Sequence, residues 1–304
     1  MSFALMLLPV LLQYGPSIGD AAPVRLPQID RPTGPNRRGP LIIQDSGTVQ
    51  PTTPQPPSPL KICLDAAAQD PDAGERAARA WVERAKSQEA SVKAQAQLCL
   101  GTALAAQEEF EAARTAFVAG LDMAGADDRM MRAQLGAMAG NAALAAGDAV
   151  GALMLLDTAR AQAMATGRSE LTGGIAIDRA RALVALKRLP DAAMALTDAR
   201  TIAPNEAQGW LLSATLSRRM DKLADAQAQI QTAATLAPRD PDVGLEAGVI
   251  AMLSGREAAA RKSWESVIAS APASDAAKRA AAYLAQLPAT QPTVTTASPA
   301  PTGK

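Results

Sequence analysis

Few side chains in this sequence are equipped to do chemistry. Cys63 and Cys99 are the only cysteines, Glu108-Glu109 and Asp127-Asp128 are adjacent carboxylate pairs, and histidine is absent from all 304 residues. Without imidazole there is no histidine general base, no histidine-ligated zinc or haem, and no Ser-His or Cys-His nucleophile. The two carboxylate pairs fall at predicted turns and helix starts, where capping or a solvated surface accounts for them better than acid-base work. No Gly-rich phosphate loop with a following Lys-Ser or Lys-Thr and no Cys-x-x-Cys occurs. The pattern points away from an enzyme and implies neither a cofactor nor a metal site. For Cys63 and Cys99 two readings stand: a disulfide between packed helices of an exported protein, or two free thiols filling a small-residue core.

The elements that would position such residues are announced by composition. Hydrophobic residues make up 48% of the chain but aromatic ones only 3%, and 70 residues are alanine. Such a chain buries area through many small contacts, which suits closely packed helices. Lys and Arg total 30 and so do Asp and Glu. A net charge of zero argues against a nucleic-acid partner, which requires a concentrated basic surface.

Both ends differ from the middle. Residues 3–12 form an apolar run interrupted by Pro9, followed by the small residues Gly19, Ala21 and Ala22. The run falls short of the ~20 apolar residues that span a bilayer and matches the core of a secretory signal with a small-x-small cleavage site. No Lys or Arg precedes it, so a mis-assigned start and an apolar terminus docked on the body stand beside the signal reading. Residues 23–59 contain ten prolines and read as a disordered or polyproline linker, in which Arg25, Arg31, Arg37 and Arg38 are either solvated or face anionic lipid or an acidic partner. The tail 288–304 has the same character. The expected organisation is a signal-like segment at 1–22, a linker at 23–59, a folded body at 60–287 and a disordered tail at 288–304.

Within the body, Pro204, Pro238 and Pro272 recur at intervals of 34 residues. Twelve residues before each lie Ala192, Ala226 and Ala260, and twenty-four before each lie Ala180, Ala214 and Gly248. Gly140 with Ala152 and Gly101 with Ala113 continue the pair upstream at intervals of 40 and 39. A fixed period of this size marks a stack of repeated hairpins. Inside 205–238, Trp210, Leu211, Ala214 and Leu216 recur at near-helical spacing, a break follows at 220–222, and Leu223, Ala226, Ile230 and Ala233 resume the pattern. The small residues permit close helix approach, and neither helix can bury its apolar stripe alone. The added residues of the two earlier repeats are expected near 123–128 and 163–169, as extra helix or longer loops.

These units resemble tetratricopeptide (TPR) repeats, which combine an early aromatic, small residues at the helix crossing, a large residue in the second helix and a closing proline, as in Trp210, Ala214, Ala226, Ile230 and Pro238. Gly248, Gly255, Ala260, Trp264 and Pro272 match in the last repeat. The resemblance implies an all-α helical-hairpin solenoid of about five repeats with an N-terminal cap and a closing helix. The cap helix is expected to bury Ala77, Ala80, Trp81 and Ala85, and the closing helix carries Ala281, Ala282, Leu284 and Leu287.

By the same resemblance, first helices line a concave groove. Its candidate binding residues are Met138 and Asn141; Ile177, Asp178 and Arg181; Leu211, Thr215 and Arg218; and Leu245, Val249 and Met252, with Leu98 and Thr102 in the earliest repeat. The mixture suits a peptide or amphipathic helix of a protein partner. Arg181 and Arg218 either fork onto a partner carboxylate or form salt bridges with nearby acids. The Lys/Asn-rich set that grips a chaperone's C-terminal carboxylate is represented only by Asn141, so that partner class is not indicated. The implied function is a non-enzymatic interaction scaffold of the periplasm or cell envelope, exported by its N-terminal signal. The alternative is a membrane-anchored structural or assembly factor of an envelope complex, held near the membrane by its N-terminal segment.

Overall fold

A computed structural model describes residues 57–287. The expectations placed on 1–22, on most of 23–59 and on 288–304 lie outside the described residues. Among the described residues there are thirteen α-helices and no strand: α1 (Pro59–Gln69), α2 (Pro71–Ala85), α3 (Ala90–Ala106), α4 (Phe110–Met123), α5 (Arg129–Ala145), α6 (Ala149–Met164), α7 (Ser169–Ala185), α8 (Leu189–Ile202), α9 (Ala207–Arg219), α10 (Leu223–Leu236), α11 (Pro241–Leu253), α12 (Glu257–Ser270) and α13 (Asp275–Leu284). The chain divides into two compact units, one ending at Ala124 and the other beginning at Gly125.

In the first unit, α1 and α2 pack on each other and on α3, and α3 pairs with α4. Ser58 caps α1 and Asp70 caps α2, each ahead of a proline at the first turn, where a missing N–H costs nothing. The stripe that α2 buries runs through Gly74, Ala78 and Ala85, with Trp81 half-buried beside it. This stripe is rotated from the expected face: Ala77 and Ala80 are exposed. The glycine decides the rotation, because a Cβ on Gly74 would stand 2.4 Å from the Ala67 Cα of α1. Cys63 of α1 and Cys99 of α3 are joined by a disulfide, with Cα atoms 6.1 Å apart. The free-thiol reading is thereby set aside.

The second unit is four hairpins, α5/α6, α7/α8, α9/α10 and α11/α12, closed by α13, each second helix packing on the first helix that follows it. The backbones of successive first helices come close to one another, and those of successive second helices do not, so the first helices line the inner side of this stack.

A small residue set against a larger one recurs at the same offset in every hairpin of both units. Gly101 faces Phe117, Gly140 faces Leu156 and Gly248 faces Trp264, and a Cβ on these glycines would fall 2.5, 2.6 and 2.1 Å from the facing side chain. Where the small residue is Ala180 or Ala214, the residue at the same offset in the second helix is Leu196 or Ile230, smaller than Phe117 and Trp264 and matching Leu156 in size, all of them buried. The alanine that follows, at 113, 152, 192, 226 or 260, is fully buried in each repeat.

The turn between paired helices is equally repetitive. The residue seven past each small residue, namely Glu108, Gly147, Lys187, Asp221 or Gly255, has φ between 60° and 90°. The next N–H then returns to a carbonyl of the first helix, as from Arg188 to Leu183 at 2.9 Å and from Lys222 to Ser217 at 2.9 Å. This is the left-handed helix termination for which glycine is the natural residue. Glu108, Lys187 and Asp221 hold it at a cost of about 1 kcal/mol each relative to an unstrained backbone.

The added residues of the early repeats are helical. α5 and α7 begin eleven residues before Gly140 and Ala180, whereas α9 and α11 begin seven before Ala214 and Gly248. Thus one extra turn sits at the front of these first helices, and α6 also runs two residues further past Ala152 than α8 does past Ala192. At the far end, α13 buries Ala276, Ala277 and Ala280, with Leu284 and Leu287 packed against them. Ala281 and Ala282 are exposed, a correction to the expected closing face. Trp210 is half-buried at the α8–α9 junction, donating to the Pro204 carbonyl at 2.8 Å under the Arg200 guanidinium, 4.9 Å from the ring centroid.

Candidate binding site

The inner face of the second unit is built from one register repeated on four helices. Asn141, Arg181, Thr215 and Val249 occupy equivalent positions, and each is partly exposed. The position four residues earlier holds Ala137, Ile177, Leu211 and Leu245, all buried between helices. Ile177, Leu211 and Leu245 therefore shape the floor without offering much surface, whereas Met138 is half-buried and Met252 is exposed. In the first unit, Leu98 is buried and the Thr102 hydroxyl donates to the Leu98 carbonyl at 2.8 Å.

The polar residues of this face are joined across repeats. The Asn141 amide on α5 donates to Asp178 on α7 at 2.8 Å, and Arg181, one turn further along α7, pairs with the other oxygen of the same carboxylate. Burial pushes the Asp178 carboxyl above its ordinary range, opposed by the Arg181 charge and by the hydrogen bonds from Asn141 and Arg181. Arg218 on α9 forks onto Glu246 on α11, with Nε to Oε1 at 2.6 Å and Nη2 to Oε2 at 3.2 Å. The fork places five-donor geometry on a carboxylate that is only 13% exposed. Both arginines thus have partners within the protein: Arg218 ties α9 to α11, and Arg181, paired within α7, holds the Asp178 carboxylate that Asn141 of α5 meets.

Glu246 is not among the sequence candidates. Its signal is nevertheless in the repeat register, since Glu246, Leu212, Asp178 and Met138 are equivalent positions. The carboxylate pairs have local roles: Asp128 caps α5 by accepting from the Met131 N–H at 3.0 Å, and Glu108 forms the α3–α4 turn. Among the described residues no cluster of three or more His, Cys, Asp or Glu is placed to hold a metal ion.

The helices of the described residues, paired and stacked in register, define a TPR-type helical-repeat fold. Solved structures agree on this fold. A thermophilic TPR protein of Thermus thermophilus is 22% identical, with a TM-score of 0.52 over 63% of this chain and 99% of that one. PilF of Pseudomonas aeruginosa is 14% identical, with a TM-score of 0.57 over 74% of this chain and 95% of that one. PilW, described as a widely conserved type IV pilus biogenesis factor, is also 14% identical, with a TM-score of 0.57 over 72% of this chain and 97% of that one. No family model matches the sequence, and no curated protein matches it.

Proposed function

We propose that this protein is a non-enzymatic interaction scaffold whose second unit holds a peptide or helix of a protein partner along its first helices. The observation that carries this reading is the inner face itself: four first helices in one register, with partly exposed Met138, Thr215 and Val249 between polar groups that satisfy one another. A surface whose Asp178, Arg181, Arg218 and Glu246 charges are already paired presents shape and apolar area rather than a reactive group, which suits a segment read by its side-chain pattern. Affinity capture with the full chain, compared with a Met138→Glu/Thr215→Glu variant, tests it. Recovery of the specific partner should fall at least about tenfold, which corresponds to losing ~1.4 kcal/mol, with the helical circular dichroism unchanged. An unaltered partner set would remove the inner face as the binding surface.

The location we propose is the periplasm or cell envelope, reached through the apolar segment at 3–12. A second reading, an anchored structural or assembly factor of an envelope complex, draws support from the fold likeness to a pilus biogenesis factor. Among the described residues no helix is long and apolar enough to cross a membrane, so an anchor would have to come from outside them. N-terminal sequencing of the protein from its native cells discriminates the two. Loss of roughly the first 21 residues, at the small-x-small site, is expected for the exported scaffold, and retention of the apolar run favours the anchored form.

A further inference from the structure

The charges of the inner face cancel within it, with one exception at its far half. Arg219, in the last turn of α9, is exposed and has no hydrogen bond or ion pair among the described residues. It lies one turn beyond Thr215, on the same side of the helix. The equivalent position on α11, 34 residues on, is Leu253, which is 55% exposed, next to Met252 at 37%. Val249, one turn before Leu253, continues the apolar strip inward. A cation without an acid partner therefore borders a strip of exposed aliphatic side chains across the approach of α9 to α11. The other charges nearby do not reverse its sign: Glu246 is engaged by Arg218, Arg256 adds a second cation whose partner Gln227 is neutral, and Asp221 and Lys222 in the following turn are of opposite charge.

Resting on the groove reading above, we propose that the α9–α11 part of the inner face selects a partner segment in which an acidic side chain adjoins one or two large aliphatic ones. The acid pairs with Arg219, and the aliphatic groups cover Val249, Met252 and Leu253. Charge complementarity favours an acid in the segment, because Arg219 and, past Leu253, Arg256, whose hydrogen-bond partner Gln227 is neutral, are both cations without a bonded acid among the described residues. Methionine at the centre lets the strip adapt to aliphatic groups of different shape.

The test begins with a random twelve-residue peptide library displayed on phage, selected against the full chain and counter-selected against the Met138→Glu/Thr215→Glu variant. Enriched sequences should place Asp or Glu beside Leu, Ile, Met or Phe. The strongest of them, made synthetically with a fluorescent label, should bind the Arg219→Glu variant at least about tenfold more weakly than the unaltered chain. A peptide with Lys in place of its acid should recover affinity for that variant. Met252→Asp should weaken both peptides, and Arg219→Gln, which keeps a long polar side chain, should give the intermediate loss expected of charge rather than folding. Enriched peptides without an acid, or equal affinity for the unaltered chain and Arg219→Glu, would overturn the polarity while leaving the groove reading in place. Failure to enrich any peptide over the counter-selecting variant would overturn both.

Discussion

Trp264→Ala is expected to destabilise the last hairpin by about 3–5 kcal/mol, the range for removing a large aromatic from a packed core. The indole is 3% exposed, lies over Gly248, packs against Tyr283 with ring centroids 5.2 Å apart and the planes tilted by 42°, and donates to the Leu245 carbonyl at 3.2 Å. Alanine in its place would leave a cavity that nothing nearby can fill, since the facing residue is a glycine. The converse change is also harmful. A Cβ at Gly248 would fall 2.1 Å from the indole nitrogen, and the ring has no free space to yield, so Gly248→Ala should cost about 1–3 kcal/mol. The other repeats supply the remedy, because Ala180 with Leu196 and Ala214 with Ile230 solve the same crossing with less volume in the second helix. Gly248→Ala combined with Trp264→Leu should therefore cost less than the two single changes added together, with a coupling of roughly 1–2 kcal/mol. Hydrogen exchange of the α11–α13 amides in the full chain reads all three variants. Trp264→Ala should speed it by about a hundredfold or more. Strictly additive effects in the double variant would refute this matching of sizes at the crossing.

That matching also explains how far the sequence could be read. The spacing of Gly101, Gly140, Ala180, Ala214 and Gly248 places every hairpin in the right register, because helix crossings tolerate only small residues and the repeat length fixes their interval. Helix faces are harder where the signal is alanine alone. In α2 and α13 most apolar positions are alanine and these stand on both faces, beside the charged residues as well as between the helices, so the alanine pattern alone does not separate the buried Ala78 and Ala280 from the exposed Ala77 and Ala281. Contact with a neighbour decides those, through Gly74 against Ala67 in the first case. At the candidate site, the register identifies which helices supply the face. It does not show that Arg218 is met by Glu246 or Arg181 by Asp178, since salt-bridge choice depends on side-chain reach between helices 28 residues apart in one case and within one turn in the other. The unpaired state of Arg219 follows only after those pairings are known.

Reducing the Cys63–Cys99 bridge, or replacing both cysteines by serine, should cost the first unit about 4 kcal/mol in the chain-entropy account, given a sequence separation of 36. The reason the effect is large lies in what else holds α1. That helix has 11 residues, too few to be stable in isolation, and buries only Leu60, Cys63 and Ala67. Its contact with α2 is close because Gly74 and Ala67 are small, and for the same reason it buries little area. The covalent link to α3, where Cys99 is fully buried, therefore supplies a large share of what keeps the leading helix in place. Hydrogen exchange measured on peptides from α1 to α3 should quicken by about two to three orders of magnitude on reduction. The Cys63→Ser/Cys99→Ser variant should match the reduced protein and be insensitive to reductant. Exchange in α1 unchanged by reduction would mean that the small apolar contacts alone suffice, and would remove the bridge as the fastening of this helix.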